Sequence, residues 1–539
     1  MLINDILLRI LLPLSDKEVK HAVEAIEHSL PDDLSEREIK LHALEQSLQA
    51  WEESDYIDPT LHSFVDTALS TSEAGRYGLD GLRYFDAYER LRKGSNKDWR
   101  GLTAQSARLL LSRTTLIFRL ITSEQMSTAQ VSRVLESLEP SSNPTPKAIR
   151  AVAAVLDISP TIEKGDLEEI CARDRERARM LYTDSSLESS MILATELCFT
   201  WTGSLFLLSD LQSLTQDLNT AEKNPWPYLQ ILHWALLPVE LYDHPPTYVY
   251  DFSPRGNVAT SLFSLYSTAT GNPVLNNAKA ATTLDEAWSR SRPTEAAHSL
   301  VRILRMLENL PFMARKSASQ VLRSWIFRLI ELQTDNYKPV TSSQPKQELE
   351  TLIRYLDANQ TGTRGVIEQR VVDALSDLTF SGPAWRHRGI GDSVNASNTS
   401  RKKLGDIEFL NVDDRLAIAI EAHGGTVTTA YLDTHRQSLK NILMTRLEDS
   451  WLALDDATAW TVKVLFIAHG FAPELPTHET LHGVNILYEY WTYGDLGKQA
   501  FSSASDGEIS RIYGSHIIDG LNRNTTPQWI RDRYTELIS

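Results

Sequence analysis

Two short stretches hold the residues whose types and spacing point most directly to chemistry. Gly405-Asp-Ile-Glu-Phe409 alternates polar and apolar positions, and Leu416-Ala-Ile-Ala-Ile-Glu-Ala-His423 alternates apolar residues with small or polar ones. A period of two marks a β-strand, so Asp406 and Glu408 share one face of the first strand, and Glu421 and His423 one face of the second. If the strands pair, three carboxylates and an imidazole converge. Like charges at close range raise one another's pKa, so such a group usually surrounds a cation, most often a divalent metal. A metal held there lowers the pKa of a bound water and stabilises negative charge in a transition state. The plainer reading is that Asp406 caps a turn after Gly405, Glu408 pairs with a nearby arginine, and Glu421 with His423 ends an edge strand.

The neighbouring segments supply the elements that must position these residues. Thr363 to Leu378 is amphipathic, with Ile367, Val371, Leu375 and Leu378 on one helical stripe and Glu368 beside it. Trp385-Arg-His-Arg-Gly-Ile390, a polar loop from Ser393 to Ser400 and the basic triplet Arg401-Lys402-Lys403 then lead into Asp406. After His423, Thr434-His-Arg-Gln437 reads as a capping box opening a helix with apolar positions Leu439, Ile442, Leu443, Leu447 and Trp451. A strand follows at Thr461 to Ala468, then a helix from about Thr477 and further helical pieces to Ser539.

This order of helix, aspartate strand, glutamate strand, helix and strand resembles the PD-(D/E)XK nuclease superfamily, and within it the type II restriction endonucleases. The resemblance spans about residues 361–470. It implies a mixed central sheet flanked by helices, with Glu368 at the helix glutamate, Asp406 at the metal-binding aspartate and Glu421 at the acid of Glu-X-Lys. His423 stands where the family has lysine. A neutral imidazole is a poorer cation than lysine, although it accepts a proton from water near neutral pH or ligates a metal. The resemblance further implies a divalent-metal-dependent endonuclease of restriction or phage-defence type that hydrolyses double-stranded DNA. Asp406 and Glu421 would hold Mg²⁺ or Mn²⁺, and Arg401, Lys402 and Lys403 would meet backbone phosphates. With one site per chain, cutting both strands favours a homodimer. A companion methyltransferase fits the same picture. The alternative within this reading is a DNA-binding or scaffolding protein with a degenerate nuclease core.

A second motif points elsewhere. His478-Glu479-Thr-Leu-His482 fits H-E-x-x-H, which on a helix sets two histidines on one face for zinc and leaves the glutamate as general base, and so looks like a zinc metallopeptidase signature. Pro476 puts His478 in the first helical turn, and no third histidine follows at the extended spacing. His387, His435 and His469 are individually uninformative.

The rest of the chain bounds these readings. With 539 residues, more than one core is expected. Residues 1–338 carry helical periodicity and read as one irregular helical domain for recognition or dimerisation. Residues 339–360 read as linker and helix, and 361–539 as the α/β domain with a helical tail. The linker candidate is the proline-bearing polar run Asn336 to Pro345. A net charge of −17 argues against a surface coated for non-specific nucleic-acid or membrane binding, while leaving room for a local basic groove. Cys171 and Cys198 have neither the number nor the spacing for a disulfide framework, which suits a cytoplasmic protein with core thiols. The most apolar run, Glu196 to Asp210, is shorter than the roughly 20 residues that span a bilayer. The clusters Asn224-Pro-Trp-Pro-Tyr228 and His244-Pro-Pro-Thr-Tyr-Val-Tyr250 read as a buried corner between helices. The sign-alternating tract Arg173 to Met180 reads as a solvated helix face.

Overall fold

The computed structural model describes residues 3–95, 99–218, 225–268, 272–278, 281–292, 294–380, 382–392, 403–448 and 459–539. Among these residues no helix is long and apolar enough to cross a membrane. As far as Asp335 the elements are helices, apart from short paired strands at Gly94–Ser95 and Trp99–Arg100. The apolar residues of this region sort into two clusters rather than one, the first from Ile3 to Leu156 and the second from Leu167 to Leu329. Asp251 joins them: its carboxylate accepts the Ala129 N–H at 2.9 Å and an Arg150 N–H at 2.8 Å.

Of the aromatic residues in the two sequence clusters, Trp226 and Tyr228 are buried in the second core, and Tyr248 and Tyr250 are half-buried. The tract Arg173 to Met180 lies on the helix Lys164–Tyr182 and is solvated except at Asp174 and Ala178, which are buried, and Arg177, which is half-buried. That carboxylate is buried against Arg323, whose guanidinium donates to Asp174 and to Glu240, each at 2.6 Å. Removing a partner from such a group leaves an uncompensated buried charge, which is why all three are held together.

His233 lies fully inside the same core, with Nδ1 2.5 Å from the Tyr266 hydroxyl. Burial, and secondarily the nearby Arg323 charge, pushes its imidazole down to about 3. The unfolded chain therefore takes up this proton near pH 6.5 and the folded chain only near pH 3, so the stability that His233 contributes above pH 6.5 is lost as the pH falls between those values. Thermal melting is expected to fall by several degrees between pH 7 and pH 4.5, with a shallower slope in His233→Gln. Equal slopes in the two proteins would contradict this assignment.

The C-terminal region is a mixed six-stranded sheet flanked by helices. Helices α1 (Pro345–Asp357) and α2 (Val366–Thr379) precede strands β1 (Trp385–Arg388), β2 (Ile407–Asn411) and β3 (Leu416–Val427). Helix α3 (Thr429–Glu448), strand β4 (Thr461–Phe471), the hairpin β5 (His478–Leu481) and β6 (Val484–Trp491), and helix α4 (Tyr493–Ser503) follow. The strand order is β1-β2-β3-β4-β6-β5; β3, β4 and β6 run parallel, and the other neighbours antiparallel.

Central strand β3 is apolar from Leu416 to Ile420 because both of its faces are covered there. Ile418 and Ile420 join the cluster of α1, α2 and α4, whereas Ala417 and Ala419 join the cluster of α3. The two helical layers therefore lie on opposite faces of the sheet.

Three local expectations change. Helix α3 begins before Thr434, whose hydroxyl donates to the Ala430 carbonyl at 3.0 Å; Thr428 caps the start by accepting the Tyr431 N–H at 3.2 Å. Trp451 and the side chain of Leu447 lie outside the described residues. The expected helix from Thr477 is instead the edge strand β5. His482 (φ 51°) and Gly483 (φ 81°) form a two-residue turn, and paired positive φ values are what a tight hairpin with right-twisted strands demands. Finally, the stretch expected to be a linker is pinned to the C-terminal unit: Asn522 exchanges two 2.9 Å hydrogen bonds with the Val340 backbone, and Tyr337 donates to the Asn522 carbonyl at 2.9 Å.

Candidate functional site

Asp406 lies one residue before β2. Continuing the register of Ile407 with Ile420 sets it opposite Glu421. Its Oδ2 accepts the Ala422 N–H at 3.1 Å, which holds the carboxylate against β3. Gly405 makes this approach possible, since a Cβ there would lie 2.8 Å from the Ile420 carbonyl oxygen. Gly405→Ala is therefore expected to cost about 1–3 kcal/mol, read by urea denaturation, because the turn must move off the sheet. An unchanged midpoint would show that the turn has slack.

Glu421 is buried, and its Oε1 lies 3.3 Å from Nδ1 of His435, on the second turn of α3. Burial pushes His435 down to about 4, so at neutral pH the ring is uncharged and the nitrogen facing the carboxylate carries the proton. His423 stacks on Tyr431 of α3, with ring centroids 4.1 Å apart and planes inclined by 32°. Partial burial lowers the His423 pKa, the neighbouring His469 adds to that, and a backbone hydrogen bond with Thr426 opposes it. His423 is thus a neutral base rather than a replacement for lysine's charge. The Tyr431 phenol is shifted well upward by burial and then by the charges of Glu421 and Asp406, so it stays protonated beside both carboxylates.

Tyr431 and His435 are site residues that the strand pattern alone does not reveal. Their signal lies in the sequence nonetheless: they stand four apart on the helix directly after the glutamate strand, and that spacing puts them on one face.

Glu368 stands on α2, which packs on the opposite face of the sheet. It sits in the first turn of α2, nearly buried, and accepts hydrogen bonds from the Thr361 and Thr363 hydroxyls, the latter at 2.7 Å. These bonds tie Glu368 to the approach of its own helix rather than to Asp406 or Glu421. The Tyr493 phenol feels the Glu368 charge, and its ring lies 5.2 Å from that of His469.

The third acid of the strand pattern, Glu408, is committed elsewhere. It and Arg446 of α3 are both fully buried, joined by bonds of 3.1 and 2.8 Å. Lys403 also turns inward, donating to Asp392 at 2.9 Å and to the Asp406 carbonyl at 2.6 Å. With the side chain buried, it braces the aspartate turn rather than reaching a phosphate. Arg401 and Lys402 lie outside the described residues.

His478, Glu479 and His482 do not form a zinc helix. In an extended strand a four-residue step spans roughly 13 Å, and His482 has already entered the turn. Glu479 is bound by Arg436 at 2.7 Å and by the Tyr488 hydroxyl.

Asp406 and Glu421 present one carboxylate from each side of the β2–β3 pair, which suits Mg²⁺, an ion held through one or two carboxylates while it keeps most of its waters. Among the described residues no group of three His, Cys, Asp or Glu side chains is placed to hold a metal, so an all-protein zinc cage is not formed there. Glu421 stands midway along β3, opposite Phe466 of parallel strand β4. No family model matches the chain, and no curated protein is significantly similar to it.

Proposed function

We propose that the C-terminal unit hydrolyses phosphodiester bonds of double-stranded DNA as a divalent-metal-dependent endonuclease of the restriction or phage-defence type. The observation that carries this reading is the pairing of Asp406 and Glu421 beside a neutral imidazole and a protonated phenol. Mg²⁺ or Mn²⁺ bound by the two carboxylates would acidify a water and offset the charge that develops on the phosphate. His423 then accepts a proton from the attacking water, and the Tyr431 hydroxyl donates to an oxygen of the scissile phosphate or of that water. His435 acts through Glu421, fixing the orientation of its carboxylate. Glu368 would position water from the other face of the sheet.

The test is incubation of supercoiled plasmid, methylated and unmethylated, with Mg²⁺ or Mn²⁺, comparing the native chain with Asp406→Asn and His423→Lys. Nicking or linearisation by the native chain that Asp406→Asn abolishes is the expected result. No cleavage of either plasmid would overturn the reading. A second reading has its own observation, the replacement of the family's lysine by a neutral histidine: a core that binds DNA without cutting it. Gain of cleavage only in His423→Lys would favour that second reading. As one site per chain cuts one strand, we also propose a homodimer, checked by light scattering with and without duplex.

A further inference from the structure

Between Glu196 and Asp210 the chain carries no charged residue, and there the helix Leu187–Thr202 gives way to the helix Leu207–Thr215. Burial is the ordinary fate of so apolar a stretch. Instead Leu205 is 81% exposed, Phe206 74%, Phe199 47% and Trp201 37%. The first of these helices runs antiparallel to the helix Phe312–Asp335: Cys198 Sγ lies 3.8 Å from the Ala318 carbonyl oxygen near one end, and Arg328 donates to the Ser185 carbonyl at 2.8 Å near the other. The end of Leu187–Thr202 therefore meets the start of Phe312–Asp335, where Met313 is 68% exposed. Five large apolar side chains thus gather at one tip of the second helical core.

The turn that presents them is held by its own hydrogen bonds. Gly203, at a φ of 58°, donates its N–H to the Phe199 carbonyl at 2.9 Å. The Ser204 N–H donates to the Thr202 hydroxyl at 3.2 Å, and the Phe206 N–H to the Ser204 hydroxyl at 3.3 Å. A Cβ built at Gly203 would meet nothing within 4 Å among the described residues, so the turn stands clear of the core behind it. A turn already fixed in this way costs little further ordering when its side chains are covered.

Taking roughly 200 Å² for each large side chain, these exposures leave about 600 Å² of apolar surface at the tip. That is the top of the range for the largest patch on an ordinary monomer, and it matches the apolar share, about 65%, of the roughly 800 Å² that each partner gives a standard interface. The composition fits as well, because interface centres are rich in aromatic residues and methionine and poor in charge. A lipid surface fits badly. From Met180 to Glu222 the chain carries acids and neither lysine nor arginine, whereas interfacial segments hold anionic lipid through basic residues. A second copy brings the same uncharged tip, so the two meet without opposing charges at the centre, and a patch paired with itself about a two-fold axis is the commonest form of self-association.

We propose that this tip is where two copies of the chain meet, with Leu205, Phe206 and Trp201 at the centre of a two-fold contact. The surface stands apart from the phosphodiester reading, which calls for two sites and does not say where the chains join. The experiment is sedimentation velocity over a range of protein concentrations, without DNA or metal, so that assembly is read apart from cleavage. The native chain is compared with Leu205→Asp/Phe206→Asp and, as a control, with Leu34→Asp, a leucine 78% exposed on the first helical core. Phe206 stands at the N-cap of its helix, where Asp is a preferred residue, so the double variant is expected to keep its fold, checked by circular dichroism.

The native chain and the control are expected to sediment at twice the mass of one chain. The double variant is expected to dissociate about a hundredfold more readily, since a few central side chains carry most of the binding energy of an interface. A native chain that stays monomeric at every concentration would overturn the proposal, as would a double variant that dimerises like the native chain. Equal weakening in Leu34→Asp would show general rather than local self-association and also overturn it. Vesicles of phosphatidylcholine, with and without phosphatidylserine, supply the remaining arm: co-sedimentation of the native chain that the double variant abolishes would assign the tip to a lipid surface, and the proposal falls. Dimers lost as expected in the double variant of a chain that cuts no plasmid would keep this contact and refute the nuclease reading.

Discussion

Plasmid cleavage is expected to fall by about 10²–10³-fold in Glu421→Gln, the range seen when one preorganised electrostatic group is removed from an active site. The amide keeps the shape of the carboxylate and can still accept from His435 at the 3.3 Å contact, so the change isolates the charge. His435→Phe makes the complementary test. It leaves the carboxylate in place and removes the group that orients it, and removing such a support typically costs about 10–100-fold. The two variants should also separate by metal titration. Raising Mg²⁺ is expected to recover much of the rate in His435→Phe and little in Glu421→Gln, because only the second lacks a ligand charge. Equal activity of Glu421→Gln and the native chain, with the fold intact by circular dichroism, would remove Glu421 from the site.

The largest expected effect on stability lies beside the site rather than in it. Arg446→Met is expected to destabilise the C-terminal unit by about 3–5 kcal/mol in urea unfolding, because it strands the Glu408 carboxylate in a fully buried position. Burial already pushes Arg446 down to about 10 despite the opposing attraction of Glu408, which shows how strongly this place penalises charge. The partner must therefore be replaced together with it. Glu408→Leu with Arg446→Met is expected to recover most of the stability, since an apolar pair of similar volume avoids desolvating two ions. The Leu404 N–H would then lack its Glu408 acceptor, so recovery should stop short of complete. A double variant no more stable than Arg446→Met would show that the bidentate pair itself, rather than the stranded charge, sets the stability.

Much of the C-terminal unit is legible in the sequence. Strand β3 announces itself because Leu416 to His423 must face two covered layers, and helix α2 because Ile367, Val371, Leu375 and Leu378 repeat at helical spacing. The hairpin at His482–Gly483 is equally readable, since a residue-glycine turn between short alternating runs is a hairpin signal; the H-E-x-x-H pattern draws attention away from it. The N-terminal region is legible as helical and no further. Its division into two cores depends on which helices pack together, and the contacts that join the two, such as Asp251 with Ala129 and Arg150, link residues more than a hundred positions apart.

The candidate site divides in the same way. By itself the sequence determined that Asp406, Glu408, Glu421 and His423 lie on defined faces of two strands, because a strand's period of two is set by the local backbone. Only the tertiary structure decided which of these charges remain at the site. Glu408 is drawn off by Arg446, 38 positions away. Lys403 is turned inward to Asp392 and to the turn that follows it, and Tyr431 and His435 are brought in by a helix laid across the strands. The reason is physical: local periodicity specifies the direction in which a side chain points, whereas a buried charge must be matched by whichever partner the packed chain places within a few ångströms of it.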